Sequence, residues 1–269
     1  MKEQTQGLSV VRKDLSATQL KTIALVCMFL DHFAGVYMGR YLMAEGIPFM
    51  SSFNVSNWIT VLYYVMRGIG RVAFPIYAFL ICEGAVHTRN IWKYWERLLA
   101  FAIISEIPFD LCLNITRSQA LERHVIEFGY QNVFFTLAIG LLVIIGLQKI
   151  ETKNFHPVIA YVLRLGCIFA GMLLGYFLKT DYGMAGVLVI AAMYMYRTHK
   201  MLAVGIGCVL LSLMSILEIP AFLCMIPVFF YHGRKGVMLG NHPYGKYVFY
   251  GFYPVHLLIL AVASIVSGF

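Results

Sequence analysis

Residues Leu15–Met38 read LSATQLKTIALVCMFLDHFAGVYM, a polar, basic lead-in passing into a long apolar run that carries Asp31-His32 inside it. The apolar length is what a helix needs to cross a hydrocarbon core of about 30 Å. An Asp in mid-span costs about 2.5–3.5 kcal/mol on insertion scales, so the ionisable pair is expected to face a polar interior rather than lipid. Lys21 and His32 are eleven positions apart. That is about three helical turns, which puts both on one stripe, roughly 16 Å apart along the axis and half the membrane thickness. The stretch predicts a first span with a cation at one membrane face, an imidazole halfway across, and other helices closing a chamber around the stripe.

The rest of the chain repeats the apolar theme. Of 269 residues, 60% are apolar and 13% charged, against about a quarter charged in a soluble domain. The sequence predicts an all-α, polytopic transmembrane helix bundle in a single domain, 1–269, with a cytoplasmic lead-in over 1–18. After the first span, apolar windows fall at about 70–86, 98–114, 132–147, 158–178, 183–196, 201–218, 220–232 and 246–266, for about nine spans (range eight to ten). The short apolar run 58–66 reads as an interfacial helix leading into the second span.

Cations set the orientation. With the N-terminus inside, all five inside segments carry Lys or Arg, among them Arg12/Lys13, Arg89/Lys93, Lys149/Lys153, Arg197/Lys200 and Arg234/Lys235, as the positive-inside rule requires. The C-terminus is then outside. The net charge of +8 is spread over short loops, which argues against a nucleic-acid partner. The lead-in lacks a signal-peptide cleavage pattern, and no inverted repeat of the transporter kind is visible. The six cysteines sit in apolar segments without CxxC spacing. They read as small buried hydrophobes, with no disulfide framework and no zinc or other metal site.

Several polar residues inside apolar segments could carry chemistry. His32 is a general base by type, shielded from bulk water, although a core histidine satisfied by a neighbouring helix would look the same. Arg71 opens the second span with Pro75 one turn on; it either binds an anion or pairs with an acid. Glu106 and Asp110 share a helical face around Pro108; Glu106 could orient His32 or an amine substrate, or both could be a solvated helix end. Asn132 could donate to a developing oxyanion or cap its helix. Tyr247, Tyr250, Tyr253 and His256 recur every three positions in the last span, either as packing or facing the chamber. There is no GxSxG elbow, P-loop, HExxH or DxD pair, so phosphoryl transfer and metalloprotease chemistry lose support.

The chain resembles the TraX family, whose best-known members acetylate pilin N-termini. The matching stretches are LKTIALVCMFLDHF (20–33), GRVAFPIYAFLICEG (70–84), RLLAFAIISEIPFDL (97–111), NVFFTLAIGL (132–141), DYGMAGVL (181–188) and YGFYPVHLLIL (250–260). The group is similar to the wider class of integral-membrane acyltransferases, in which a basic residue, ten positions and a histidine mark the first helix, as Lys21 and His32 do here. The resemblance implies a bacterial cytoplasmic-membrane acyltransferase. It would use a cytoplasmic acyl-CoA, usually acetyl-CoA, and an extracytoplasmic acceptor that is a peptide amine, a glycan or a small molecule. On that reading Lys21, Arg71, Arg89, Lys93, Arg97, Arg197, Lys200, Arg234 and Lys235 supply the nucleotide-phosphate contacts. His32 deprotonates the acceptor, Asp31 or Glu106 holds its tautomer, Asn132 or Tyr253 steadies the oxyanion, and His256 joins the catalytic set if it faces the chamber. A proton-coupled small-molecule transporter is the alternative, since buried Asp, Glu and His also mark proton relays. A non-catalytic membrane partner is the third reading.

Overall fold

Ser16 starts the first helix. Its hydroxyl accepts from the Gln19 backbone N–H at 3.3 Å, and the Gln19 side chain returns the bond to the Ser16 N–H at 2.8 Å, a capping box that satisfies two otherwise orphaned donors. From there α1 (Ala17–His32) runs into a π-helical segment (Phe33–Met38) and α2 (Gly39–Ala44), forming one apolar rod of 28 residues. The computed structural model describes residues 14–47, 57–117, 129–234, 236 and 245–268.

Next come α3 (Trp58–Gly70), α4 (Ala73–His87), α5 (Ile91–Arg117), α6 (Val133–Glu151), α7 (Pro157–Phe177), α8 (Gly183–Met195) and α9 (Lys200–Met214). A 3-10 segment (Ile216–Cys224) continues into α10 (Met225–Phe229), and α11 (Gly245–Val266) closes the chain. Taking α3–α4 as one broken rod and the 3-10 segment with α10 as another, the described residues make nine helical passages. Five of these are long and apolar enough to cross a bilayer by themselves, and three shorter apolar helices pack among them. The chain is an all-helical, multi-pass membrane protein. The 3-10 rise of about 2.0 Å per residue lets the short passage from Ile216 reach farther than an α-helix of equal length.

The passages alternate. Isolated backbone bridges join Leu15 to Tyr231 at one end of the bundle and Gln131 to Thr180 at the other, the pairing that nine alternating passages require. Helices α6 and α8 hold the centre of the core, with Leu141, Ile144, Val187 and Ile190 fully enclosed. In contrast α7 packs on α6 and α8 and turns Val158, Ile159, Val162 and Phe169 outward, as lipid contact demands.

One expectation needs correction. The run from Trp58 is not a separate interfacial helix: α3 continues to Gly70, packs along α1, and is interrupted only at Arg71–Val72 before α4. Pro75 explains the interruption. It cannot donate to the Arg71 carbonyl and its ring crowds that oxygen, whereas within the first turn of a new helix it is tolerated. The second rod is therefore broken at depth, level with Asp31.

Candidate active site

The break in the second rod sets two guanidiniums against α1. Arg67 contacts the Asp31 carboxylate at 2.7 Å and Arg71 at 2.5 Å, while the other arm of Arg71 reaches Glu218 of the 3-10 segment at 2.9 Å. Arg67 lies in the last turn of α3 and Arg71, four residues on, caps its end, so both are directed to the same side. The side chains of Arg71, Asp31 and Glu218 are only 16%, 13% and 11% exposed. Charges so enclosed persist only when paired. The three passages are thus tied together by one four-residue cluster, level with His32.

Gly70 makes the close approach possible. A Cβ there would lie 2.5 Å from Asp31 Oδ1 and 2.7 Å from its Cγ. Gly70→Ala is accordingly expected to push α3 off α1, separate Asp31 from Arg71 and cost about 1–3 kcal/mol, the usual range for overpacking. Thermal unfolding in detergent would read this as a lowered midpoint, and an unchanged midpoint would contradict the packing account.

One residue past Asp31, the imidazole of His32 points elsewhere. Its Nδ1 lies 2.7 Å from Nε2 of His256 in α11, and His256 Nδ1 lies 2.8 Å from the Phe252 carbonyl oxygen. Phe252 stacks on the His256 ring and Phe29 meets it edge-on, while Tyr253 is edge-on to both imidazoles. His256 is 3% exposed. His32 stands between His256 and open space.

That space is a cavity of about 840 Å³. At the Leu15 end it is lined by Ala17, Lys21, His87, Thr88 and Arg97, in the middle by His32, Phe134 and Tyr253, and at the Thr180 end by Tyr130, Asp181, Tyr182 and Glu218. Both Ala17 and Val36 border it, so it follows the first rod for roughly 25–30 Å, most of a bilayer. The Tyr253 hydroxyl, on a residue 2% exposed, makes no hydrogen bond within the described residues. Asp181 is half-buried with its side chain in the cavity wall; burial pushes its carboxyl up to about 6, against the opposing pull of Arg71.

Set beside the sequence reading, Lys21 and His32 of the first-helix stripe line one cavity, together with Arg97 and Tyr253. Other expectations are corrected. Arg71 is not among the cations of the Leu15 end; it is held by Asp31 and Glu218 at the depth of His32. Arg89 and Lys93 are exposed and outside the cavity wall. Arg197 pairs with Glu151 at 3.0 Å, and Lys200 caps the Phe229 carbonyl at 3.0 Å and the Tyr231 carbonyl. Arg234 is exposed away from the cavity, and Lys235 lies outside the described residues. Neither Asp31 nor Glu106 holds the tautomer of His32, because Asp31 is committed to the arginines and Glu106 accepts from the Asn132 side chain and, at 3.4 Å, its backbone N–H. Asn132 itself caps α6, accepting from Phe134 N–H at 3.0 Å and donating to the Ala102 carbonyl at 2.8 Å, and neither residue borders the cavity.

Arg67, Glu218, Asp181 and Tyr182 were missed. The signals were there: two arginines at helical spacing flanking Gly68–Gly70, and Glu218 inside the apolar run ILEIPAF. What hid them was their position at segment ends, where charges normally meet water.

Comparison with known proteins agrees with the resemblance. The family described as "TraX protein" matches residues 16–264. A protein of Dichelobacter nodosus named probable fimbrial assembly protein FimC, serogroup H1, is 31% identical over 269 residues, covering 93% of this chain and 96% of that protein. No solved structure matches.

Proposed function

Because the chain belongs to the TraX family, we propose that it is an acyl-CoA-dependent membrane acyltransferase of the bacterial cytoplasmic membrane, with the Leu15 end of the bundle inside. One observation carries the reading: a single cavity connects cations at that end with an imidazole at mid-depth and with a polar vestibule at the other end. Lys21 and Arg97 would hold the phosphates of an acyl-CoA, acetyl-CoA in the simplest case, at the inner mouth. The pantetheine arm would then run along the stripe and bring the thioester to His32. The acceptor, a peptide amine, a glycan hydroxyl or a small molecule, would enter between Asp181, Tyr182 and Glu218.

The chemistry needs few groups. His32 takes the proton from the attacking N–H or O–H as the new bond to the acyl carbon forms. Tyr253, whose hydroxyl donates no hydrogen bond among the described residues, is suited to donate to the carbonyl oxygen as negative charge builds there. When the C–S bond breaks, the proton on His32 passes to the departing thiolate, so the site returns to its starting state. Walls of Phe74, Leu80, Phe109 and Leu257 keep bulk water from the thioester.

Purified protein incubated with labelled acetyl-CoA and a panel of amine and hydroxyl acceptors should release free CoA and transfer label. Lys21→Ala and Arg97→Ala should each raise the apparent KM for acetyl-CoA about tenfold, the loss of roughly 1.4 kcal/mol of charge-assisted contact. Arg197→Ala, remote from the cavity, should leave it unchanged. No CoA release with any acceptor, together with no CoA binding, would sink the reading in favour of a proton-coupled carrier.

A further inference from the structure

The contacts around His256 assign a direction to every proton in the histidine pair. A carbonyl oxygen only accepts, so His256 Nδ1, 2.8 Å from the Phe252 oxygen, carries a hydrogen. In a neutral imidazole the other nitrogen is then an acceptor. His256 Nε2 therefore receives a hydrogen from His32 Nδ1 at 2.7 Å. The ring geometry agrees. The planes are 17° apart and the centroids 5.0 Å apart, which is about two ring radii plus one hydrogen-bond length. The N–H thus lies in the plane of both rings and along the line between them.

We infer that His256 is a positioning residue that locks His32 in its Nδ1–H tautomer, leaving Nε2 bare toward the cavity as the nitrogen that takes and returns the proton. This rests on the reading of His32 as the base, but its structural half does not. Asp31, the neighbouring group that could otherwise hold Nδ1, is occupied by Arg67 and Arg71. Phe29, Phe252 and Tyr253 wall His256 in, and it does not border the cavity, so it meets no reacting atom. The orienting partner is neutral. In the familiar serine-hydrolase arrangement a carboxylate behind the imidazole stabilises the imidazolium that forms. A neutral imidazole there gives less of that help, so His32 holds its proton only briefly before the thiolate takes it.

The test is nitrogen NMR of the full chain in detergent with histidine-labelled protein, at a pH where both rings are neutral, with the His32 signals identified by their loss in His32→Gln. In the unchanged protein His32 should show a protonated Nδ1 and a bare Nε2. In His256→Ala that pattern should shift to a mixture or to Nε2–H. Transfer rates should follow: His256→Ala lowers kcat about 10²-fold with KM for acetyl-CoA within twofold, and His256→Gln, whose amide oxygen can accept from Nδ1–H, recovers a large part of both the tautomer and kcat. A protonated Nε2 on His32 in the unchanged protein, or an unaltered tautomer in His256→Ala, would overturn the assignment. If the tautomer behaves as stated but no variant, including the unchanged protein, transfers an acyl group, the positioning holds and the base reading fails.

Discussion

His32→Ala is expected to lower acyl transfer by about 10²–10⁴-fold, the usual contribution of a general base, while CoA binding stays near normal. The separation of effects follows from depth. Lys21 and Arg97 line the Leu15 end of the cavity and His32 borders it three turns of α1 farther on, so truncating the imidazole should leave the proposed phosphate contacts untouched. His32 also forms no part of the ion cluster that ties the rods together, and its loss should spare folding. Transfer rates with saturating acetyl-CoA, alongside CoA binding by calorimetry, decide the matter. Activity within a few-fold of the unchanged protein would remove His32 from the chemistry.

The second large effect is on stability. Arg71→Met leaves Asp31 with only the half-exposed Arg67 and leaves Glu218, whose second oxygen makes no hydrogen bond among the described residues, without the cation it pairs with. Breaking a buried ion pair from one side costs about 3–5 kcal/mol, because the remaining charge stays desolvated. The melting midpoint in detergent should fall accordingly. The double variant Arg71→Met, Glu218→Gln should regain most of the loss, since Asp31 keeps Arg67 and no enclosed charge then remains without its partner. If Arg71→Met melts with the unchanged protein, the cluster contributes nothing to holding α1, α3 and the 3-10 segment together.

The same cluster shows where sequence reading stops. Buried Asp31 was legible as a residue that must find a partner, and Arg71 as one that could bind an acid or an anion. Which of those it does depends on Glu218, 147 positions away in the chain. Asn132 was legible as either cap or oxyanion donor; its 2.8 Å bond to the Ala102 carbonyl and its place outside the cavity decide for the cap. His256 was visible on a tyrosine stripe, but nothing local indicates that its ring meets His32, 224 positions earlier.

By itself the sequence determined that this is a multi-pass helical membrane protein of about nine passages, that Lys21 and His32 share a stripe, and that the chain resembles the TraX family. Those properties are local: hydrophobic length, helical period and ordered motifs are written along the chain without reference to other segments. Only the tertiary structure decided that Asp31 serves the arginines rather than His32, that His32 is held by a second histidine, and that most loop cations lie away from the cavity. Hydrogen bonds and ion pairs reach a few ångströms, so their partners depend on which helices pack side by side, and helix packing is decided by the whole core at once.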